Sequence, residues 1–229
     1  MQVFAGSSSP KELGEKILRW WYENKRDYPW RHEIDPYKIL VAETMLQRTR
    51  AEQVVPVYVE FINRYPTVRD LAGAELEDVE RYFAKLGLRW RAKKVLEMAK
   101  YIVEKFYGKL PESEEKLLEI PAIGDYVADA ILVFAYNRDK VVVDANVVRI
   151  VERLFCIKSR SEGRRDPRIR QIANSMLVLG KAKEFNWALI DFGAVICRPI
   201  NPLCEICPLK DPCCYRRQGE FQPFKGWQR

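Results

Sequence analysis

The sequence predicts an all-α fold, on three observations. Apolar residues recur at helical spacing nearly throughout, helix-start chemistry recurs between them, and alternating runs of strand length are scarce. Leu13, Ile17, Trp20 and Trp21 fall on one face of an N-terminal helix. Val95, Ala99, Ile102, Val103 and Phe106 share a second face, and Val147, Val148, Val151, Leu154 and Phe155 a third. Asp35-Pro36 sets a capping carboxylate before a proline at the first helical position. The best strand candidate, Lys140–Val143, is short. Eleven glycines and 13 prolines punctuate the chain into about ten helices joined by brief loops, with no internal repeat and no low-complexity linker.

With 229 residues, 48% hydrophobic and 12% aromatic, the chain has the material for a real core, which excludes intrinsic disorder. The length suits one large domain or two small ones. No run approaches the roughly 18 uncharged apolar residues of a membrane span, and Ala130–Tyr136 is of core-helix size. The first residues, Met1 to Gly14, lack the basic and then apolar pattern of a secretory signal, so a soluble, intracellular, cytoplasmic protein is expected. The net charge of +7 favours a polyanionic partner. Lys85–Lys105 and Arg149–Arg170 each hold an excess of five positive charges, so the remainder is slightly acidic. Two such stripes suit nucleic acid, with solvated helix faces as the plain alternative.

Five of the six cysteines lie from Cys197 onward, and the stretch from Cys197 to Cys214 holds four prolines and few apolar runs. Such a segment cannot build its own core and calls for an inorganic centre. Cys197, Cys204, Cys207 and Cys213 are spaced C-x6-C-x2-C-x5-C, and soft thiolates gathered so tightly select zinc or iron–sulfur. Structural zinc usually takes two tight C-x2-C pairs. Only one pair is tight here, which favours a [4Fe–4S] cluster over zinc. Disulfides are disfavoured because nothing indicates an oxidising compartment. Cys214 reads as a spare beside the last ligand, and Cys156 as a small hydrophobe buried on a helix. Arg198, Lys210, Arg216 and Arg217 suit a basic loop facing phosphates, and ordinary surface charge explains them equally well.

Leu118–Tyr126 joins two helical stretches through a Pro…Gly turn. Such a turn presents backbone N–H groups of Ala122, Ile123 and Gly124 at a helix N-terminus, where a phosphate binds without any base being read. As a bare pattern it is also an ordinary turn. Further on, Asp144 precedes the helix Val147–Phe155 and caps it. Capping is compatible with chemistry, since a helix N-terminus orients a carboxylate and favours its ionised state.

Hairpin, following aspartate and cysteine tail, in that order and spacing, resemble the helix–hairpin–helix DNA glycosylase superfamily with an iron–sulfur loop, from about Leu13 to Tyr215. Tyr28-Pro-Trp-Arg-His32, Asp35-Pro-Tyr37 and Ala42-Glu-Thr-Met-Leu-Gln-Arg-Thr49 are similar to the mismatch glycosylase branch rather than to endonuclease III proper. The resemblance implies two helical lobes flanking a DNA-binding cleft: residues 31–138 as a helical barrel with the hairpin, and residues 1–30 with 139–229 as the iron–sulfur domain. Bifunctional lyases of the family carry a Schiff-base lysine at the position of Tyr126, which tyrosine cannot replace. Tyr126 and the stretch Val143–Ile150 resemble the archaeal-type thymine/uracil enzymes, whereas adenine enzymes have glycine at the Ala145 position. Adenine enzymes also commonly carry an extra C-terminal domain, and this chain ends soon after its cysteines. One departure stands out: Ala122 replaces the usual hairpin glycine, at a cost of about 1 kcal/mol if φ is positive there.

The implied activity is release of thymine or uracil mispaired with guanine, without lyase chemistry, by a monomer acting on double-stranded DNA. The nucleotide must first leave the stack. By resemblance Gln47 or Arg48 and Leu88 fill the gap, Asp144 stabilises positive charge on the sugar, Glu43 bonds the base edge and Tyr126 walls it. Each has an ordinary alternative: Leu88 and Tyr126 as core, Glu43 as helix surface. His32, the only histidine, is expected to pack structurally. Adenine release opposite guanine or 8-oxoguanine is the competing activity, and a non-catalytic iron–sulfur DNA-binding protein the competing class.

Overall fold

The computed structural model describes residues 8–160 and 162–217, and among these no β-strand forms. Twelve α-helices follow in order: α1 (Pro10–Asn24), α2 (Pro36–Leu46), α3 (Ala51–Arg64), α4 (Val68–Ala72), α5 (Leu76–Lys85), α6 (Ala92–Phe106), α7 (Glu114–Leu118), α8 (Asp125–Phe134), α9 (Ala145–Phe155), α10 (Pro167–Ser175), α11 (Ala182–Val195) and α12 (Cys214–Arg217). They belong to two compact units, one formed by Asp27–Arg138 and the other by the described residues of Met1–Arg26 and Asp139–Arg229. No helix among the described residues is long and apolar enough to cross a membrane.

In Asp27–Arg138, α2 packs on α3 and α8, α4 on α6, and α5 on α3 and α6. Their apolar stripes meet in one core that includes Leu40, Met45, Phe61, Leu71, Phe83, Ile102 and Ile131, all essentially without solvent contact. Phe61 stands at an aromatic hub, with Tyr65, Tyr82 and Phe83 centroids at 5.0, 5.4 and 5.9 Å. Asp35 caps α2 by accepting the Tyr37 N–H at 2.9 Å, and Pro36 opens the helix as the sequence predicts. His32 departs from expectation. Its ring is 71% exposed and pairs with Asp27 at 2.6 Å instead of packing.

In the other unit α11 lies against α1 and α9, and α9 also meets α10 and α12. The buried Asp191 carboxylate on α11 accepts from Trp21 Nε1 at 2.8 Å and from Arg26 Nε at 2.7 Å, which satisfies its charge inside the unit. Val141, Val142 and Val143 are buried and extended but form no strand. Side chains take the place of a ladder partner: Asn174 Oδ1 accepts the Val141 N–H at 2.9 Å, and Asn186 Oδ1 accepts the Val142 N–H at 2.7 Å. Asn186 Nδ2 in turn donates to the Lys140 carbonyl. A buried strand-like run thus satisfies its backbone with no sheet.

Candidate functional site

Asp144 is the N-cap of α9. Its Oδ1 accepts the Val147 N–H at 2.8 Å and its Oδ2 accepts Asn146 Nδ2 at 2.7 Å. Arg149, one turn on, donates to Asn146 Oδ1 at 2.6 Å and also reaches the carbonyls of Gly193 and Cys197, both at 2.8 Å. The carboxylate therefore sits at the end of a polar chain that begins in the cysteine segment. Gly193 permits this: a Cβ there would fall 2.6 Å from Asn146 Cβ, so any side chain would push α11 off the cap. Asp144 keeps partial exposure. Burial nonetheless pushes its pKa above the usual carboxylate range, against the pull of the Val147 N–H, Asn146 and the Arg149 charge. The Val147 N–H at the helix N-terminus favours the ionised form, as the sequence predicts, but desolvation is the larger effect.

In Asp27–Arg138, Glu43 lies on the buried side of α2 rather than on the helix surface, 5% exposed, and its Oε2 accepts the Tyr126 hydroxyl at 2.8 Å. Tyr126 opens α8 immediately after the hairpin turn. That turn carries Pro121, Ala122 and Gly124 exposed, with Ile123 buried beneath them. Ala122 adopts φ 66°, the left-handed conformation that glycine prefers, whereas Gly124 sits at φ −108° and needs no glycine.

The two turns that the sequence proposes for DNA contact are tied together. Gln47 ends α2, and Arg48 follows it exposed at φ 65°. The second turn runs through Gly87 at φ 70° to Leu88, Arg89 and Trp90. Arg91 joins them, donating to the Thr44 carbonyl at 3.1 Å and to Gln47 Oε1 while its guanidinium lies 4.7 Å from the Trp90 ring. Leu88 takes the ordinary alternative offered for it: it is 6% exposed and part of the core. The side chain this turn does present is Trp90, 59% exposed and flanked by Lys94 at 5.8 Å. Sequence reasoning missed it, although an aromatic inside Arg-Trp-Arg in one of the two basic stretches was the signal.

Cys197, Cys204, Cys207 and Cys213 are the free thiols among the described residues. All four belong to one segment, and Cys204, Cys207 and Cys213 each lie within electrostatic reach of Cys197. Among the described residues no three Cys, His, Asp or Glu side chains, these four thiols included, close to the spacing that holds a metal ion. Soft sulfur donors alone suit zinc or iron–sulfur and reject hard cations, so the donor chemistry fits the expected cluster. The face of α9 that carries Arg149, Arg153 and Cys156 holds this segment. Arg153 donates to the carbonyls of Arg198 at 2.7 Å and Pro199 at 3.0 Å. Cys156 is neither a free thiol nor a mere hydrophobe, and Cys214 is not a spare. The two form a disulfide with Cα atoms 5.6 Å apart. The sequence argument against disulfides rested on compartment and had no access to this proximity. Of the basic residues around the segment, Arg216 pairs with Glu205 at 2.8 Å and Arg198 with the Asn201 carbonyl at 2.7 Å.

The chain and its fold match known proteins. Residues 41–175 match the model of the HhH-GPD superfamily base excision DNA repair proteins. The chain is 38% identical to a thymine-DNA glycosylase of Aeropyrum pernix, over 93% of this chain and 98% of the relative. It is 32% identical to a thymine/uracil-DNA glycosylase of Methanothermobacter thermautotrophicus, over 92% and 96%. The solved structure of a thermostable thymine-DNA glycosylase superposes with a TM-score of 0.84 at 30% identity, covering 91% of this chain and 97% of its own. With a family model spanning most of the chain and relatives matched nearly end to end, this protein belongs to the HhH-GPD superfamily of base excision DNA repair proteins.

Proposed function

We propose that the protein is a DNA glycosylase that hydrolyses the N-glycosidic bond of thymine or uracil mispaired with guanine, and that it leaves the DNA strand intact. The reading draws on relatives named thymine-DNA and thymine/uracil-DNA glycosylase, matched over nearly the whole length of the chain. The observation that carries its chemistry is Asp144, a carboxylate fixed by two donors at the start of α9. Cleaving the bond develops positive charge on the sugar, and an oriented carboxylate stabilises it and positions the attacking water, worth several kcal/mol. Tyr126 supplies no amine, so no Schiff base forms and base release ends the reaction. Its hydroxyl and Glu43 form a hydrogen-bonded pair that meets the edge of the departing base. Gln47, Arg48 and the turn at Leu88 approach the duplex, with Trp90 as the side chain exposed there, and the Ala122–Gly124 backbone takes a phosphate.

Cys197, Cys204, Cys207 and Cys213 hold a [4Fe–4S] cluster in this reading. When bound, such a cluster supplies a fixed cross-link among four thiolates, in a segment without apolar material to order itself. The chain's own part is to present the segment through Arg149 and Arg153.

Duplexes carrying T·G, U·G, A·G and A·8-oxoguanine, incubated with the protein and then treated with or without alkali, test the assignment. Breaks in the first two only, and only after alkali, are expected. Breaks without alkali overturn the monofunctional reading, and product from the adenine duplexes alone overturns the pyrimidine one. No product from any duplex supports a binding protein instead.

A further inference from the structure

Four of the six cysteines serve the proposed cluster, and the other two meet beside it. Cys156 closes α9 in the left-handed conformation, φ 50°, and Cys214 opens α12. Their disulfide closes a sequence separation of 58 residues that spans α10, α11 and the whole cysteine segment. Cys214 is the chain neighbour of Cys213, the last of the four free thiols. As free thiols the two would be chemically equivalent, one residue apart in the same turn. The backbone already distinguishes them: the Cys213 N–H donates to the Leu209 carbonyl at 3.0 Å and its Sγ lies 3.7 Å from the Arg153 carbonyl oxygen. Cys214 is turned to α9 by its bond to Cys156.

We propose that the Cys156–Cys214 disulfide chooses the ligand set of the cluster: it withholds the Cys214 thiol, so that Cys213 is the fourth ligand. This rests on the iron–sulfur reading above. The bridge and the guanidinium contacts act from one helix face, with Arg149 and Arg153 gripping the start of the segment at Cys197–Pro199 and Cys156 gripping its end. Opening the bridge takes two electrons and two protons from a dithiol, which is itself oxidised to a disulfide. It yields two thiols and places a fifth donor next to Cys213. A reducing environment thus converts a single ligand set into two competing ones.

The test reads iron and sulfide content, visible circular dichroism of the cluster and thiol counts on the full chain, with no activity assay. Denatured wild type stripped of metal should expose four alkylatable thiols without reductant and six with it. Cys213→Ser should lose cluster content by at least about tenfold, because Cys214 remains locked away. Adding Cys156→Ser to that variant frees Cys214 and should restore most of the cluster with a changed dichroism spectrum, whereas Cys213→Ser with Cys214→Ser should stay empty. Full loading of Cys213→Ser with the bridge still closed overturns the proposal. So does an empty Cys213→Ser/Cys156→Ser chain whose far-ultraviolet helix signal matches wild type. Should that double variant fail to fold, dithiol treatment of loaded wild type decides: a shifted spectrum supports ligand exchange and an unchanged one overturns it. Zinc in place of iron and sulfide in wild type would instead sink the iron–sulfur reading, and the same variants read by zinc content would still judge the ligand choice.

Discussion

In Asp27–Arg138 the candidate site side chains hang on a continuous apolar core. Glu43, Tyr126 and the Gln47 turn are positioned because α2 and α8 cannot shift without disturbing Leu40, Met45 and Ile131. Between Cys197 and Arg217, by contrast, only Leu209 and Pro212 are buried. Order there comes from directional ties: guanidinium to carbonyl, disulfide, and in the proposed holoprotein a cluster. Apolar packing is additive and tolerant, losing stability in proportion to what is removed. A tied segment depends on each tie, and its loss is local.

The contrast makes opposite predictions for the two regions. Phe83→Ala removes a fully buried ring beside Phe61 and should cost about 3–5 kcal/mol, felt as a lower melting temperature of the whole Asp27–Arg138 unit. A loss below about 1 kcal/mol would mean that this core is not what holds the unit. Cys156→Ser should cost less, up to about 4 kcal/mol from the loop that the bridge closes. Its signature is a melting curve that moves toward that of reduced wild type. Identical curves for wild type with and without reductant would show that the bridge adds nothing to stability.

Between these in kind lies a prediction on pH. In the proposed mechanism Asp144 is ionised when it stabilises the sugar, and burial holds its pKa above the usual 3.8. Base release should therefore fall on acidification at a pH above the ordinary carboxylate range, and Asp144→Asn should abolish both the activity and this limb while DNA binding persists. The stability effect has the reverse sign. A raised folded-state pKa favours the acid form, so this group's contribution is present at low pH and lost as pH rises through its folded pKa. Asp166, held well below its usual range by Arg168 and the Arg160 N–H, does the opposite: its contribution is present above 3.8 and lost as pH falls. A rate profile flat across the acid range would remove Asp144 from the chemistry.

Helix faces and caps were legible in the sequence because they are local. The stripes at Leu13–Ile17–Trp21 and Val147–Val151–Leu154 bury as spaced, and Asp35 and Asp144 cap as their neighbours dictate. Where reading failed, the cause was a partner distant in sequence. Nothing near Cys156 announces Cys214, and nothing near Val142 announces Asn186. Asp144 was read correctly as a cap and incompletely as a charge, since its desolvation depends on how α11 closes over Asn146.

Trp90 extends the comparison to the turns proposed to face DNA. Its ring leans on Arg91, outside the apolar core, so Trp90→Ala should leave the melting temperature unchanged. Affinity for mismatched duplex should fall roughly tenfold if a base stacks on it, with Trp90→Phe retaining most of the binding. Unchanged affinity in Trp90→Ala would leave the exposed ring without a part in recognition.

The smallest effect is expected at the hairpin. Ala122 holds φ 66°, where a Cβ costs about 1–2 kcal/mol relative to glycine. Glycine would remove that strain while adding freedom to the unfolded chain worth about 0.5–1 kcal/mol, so the net gain of Ala122→Gly is under about 1 kcal/mol. Its sign is nonetheless informative. Ala122 is exposed, and the turn is tied by the Ile123 N–H donating to the Ile120 carbonyl at 3.1 Å. A slightly higher melting temperature with unchanged DNA affinity means that the core beneath Ile123 imposes the turn and the alanine merely endures it. A lower melting temperature would mean that the methyl restricts the unfolded chain by more than it strains the folded one, and affinity that moves with the substitution would tie the turn's exact shape to its phosphate.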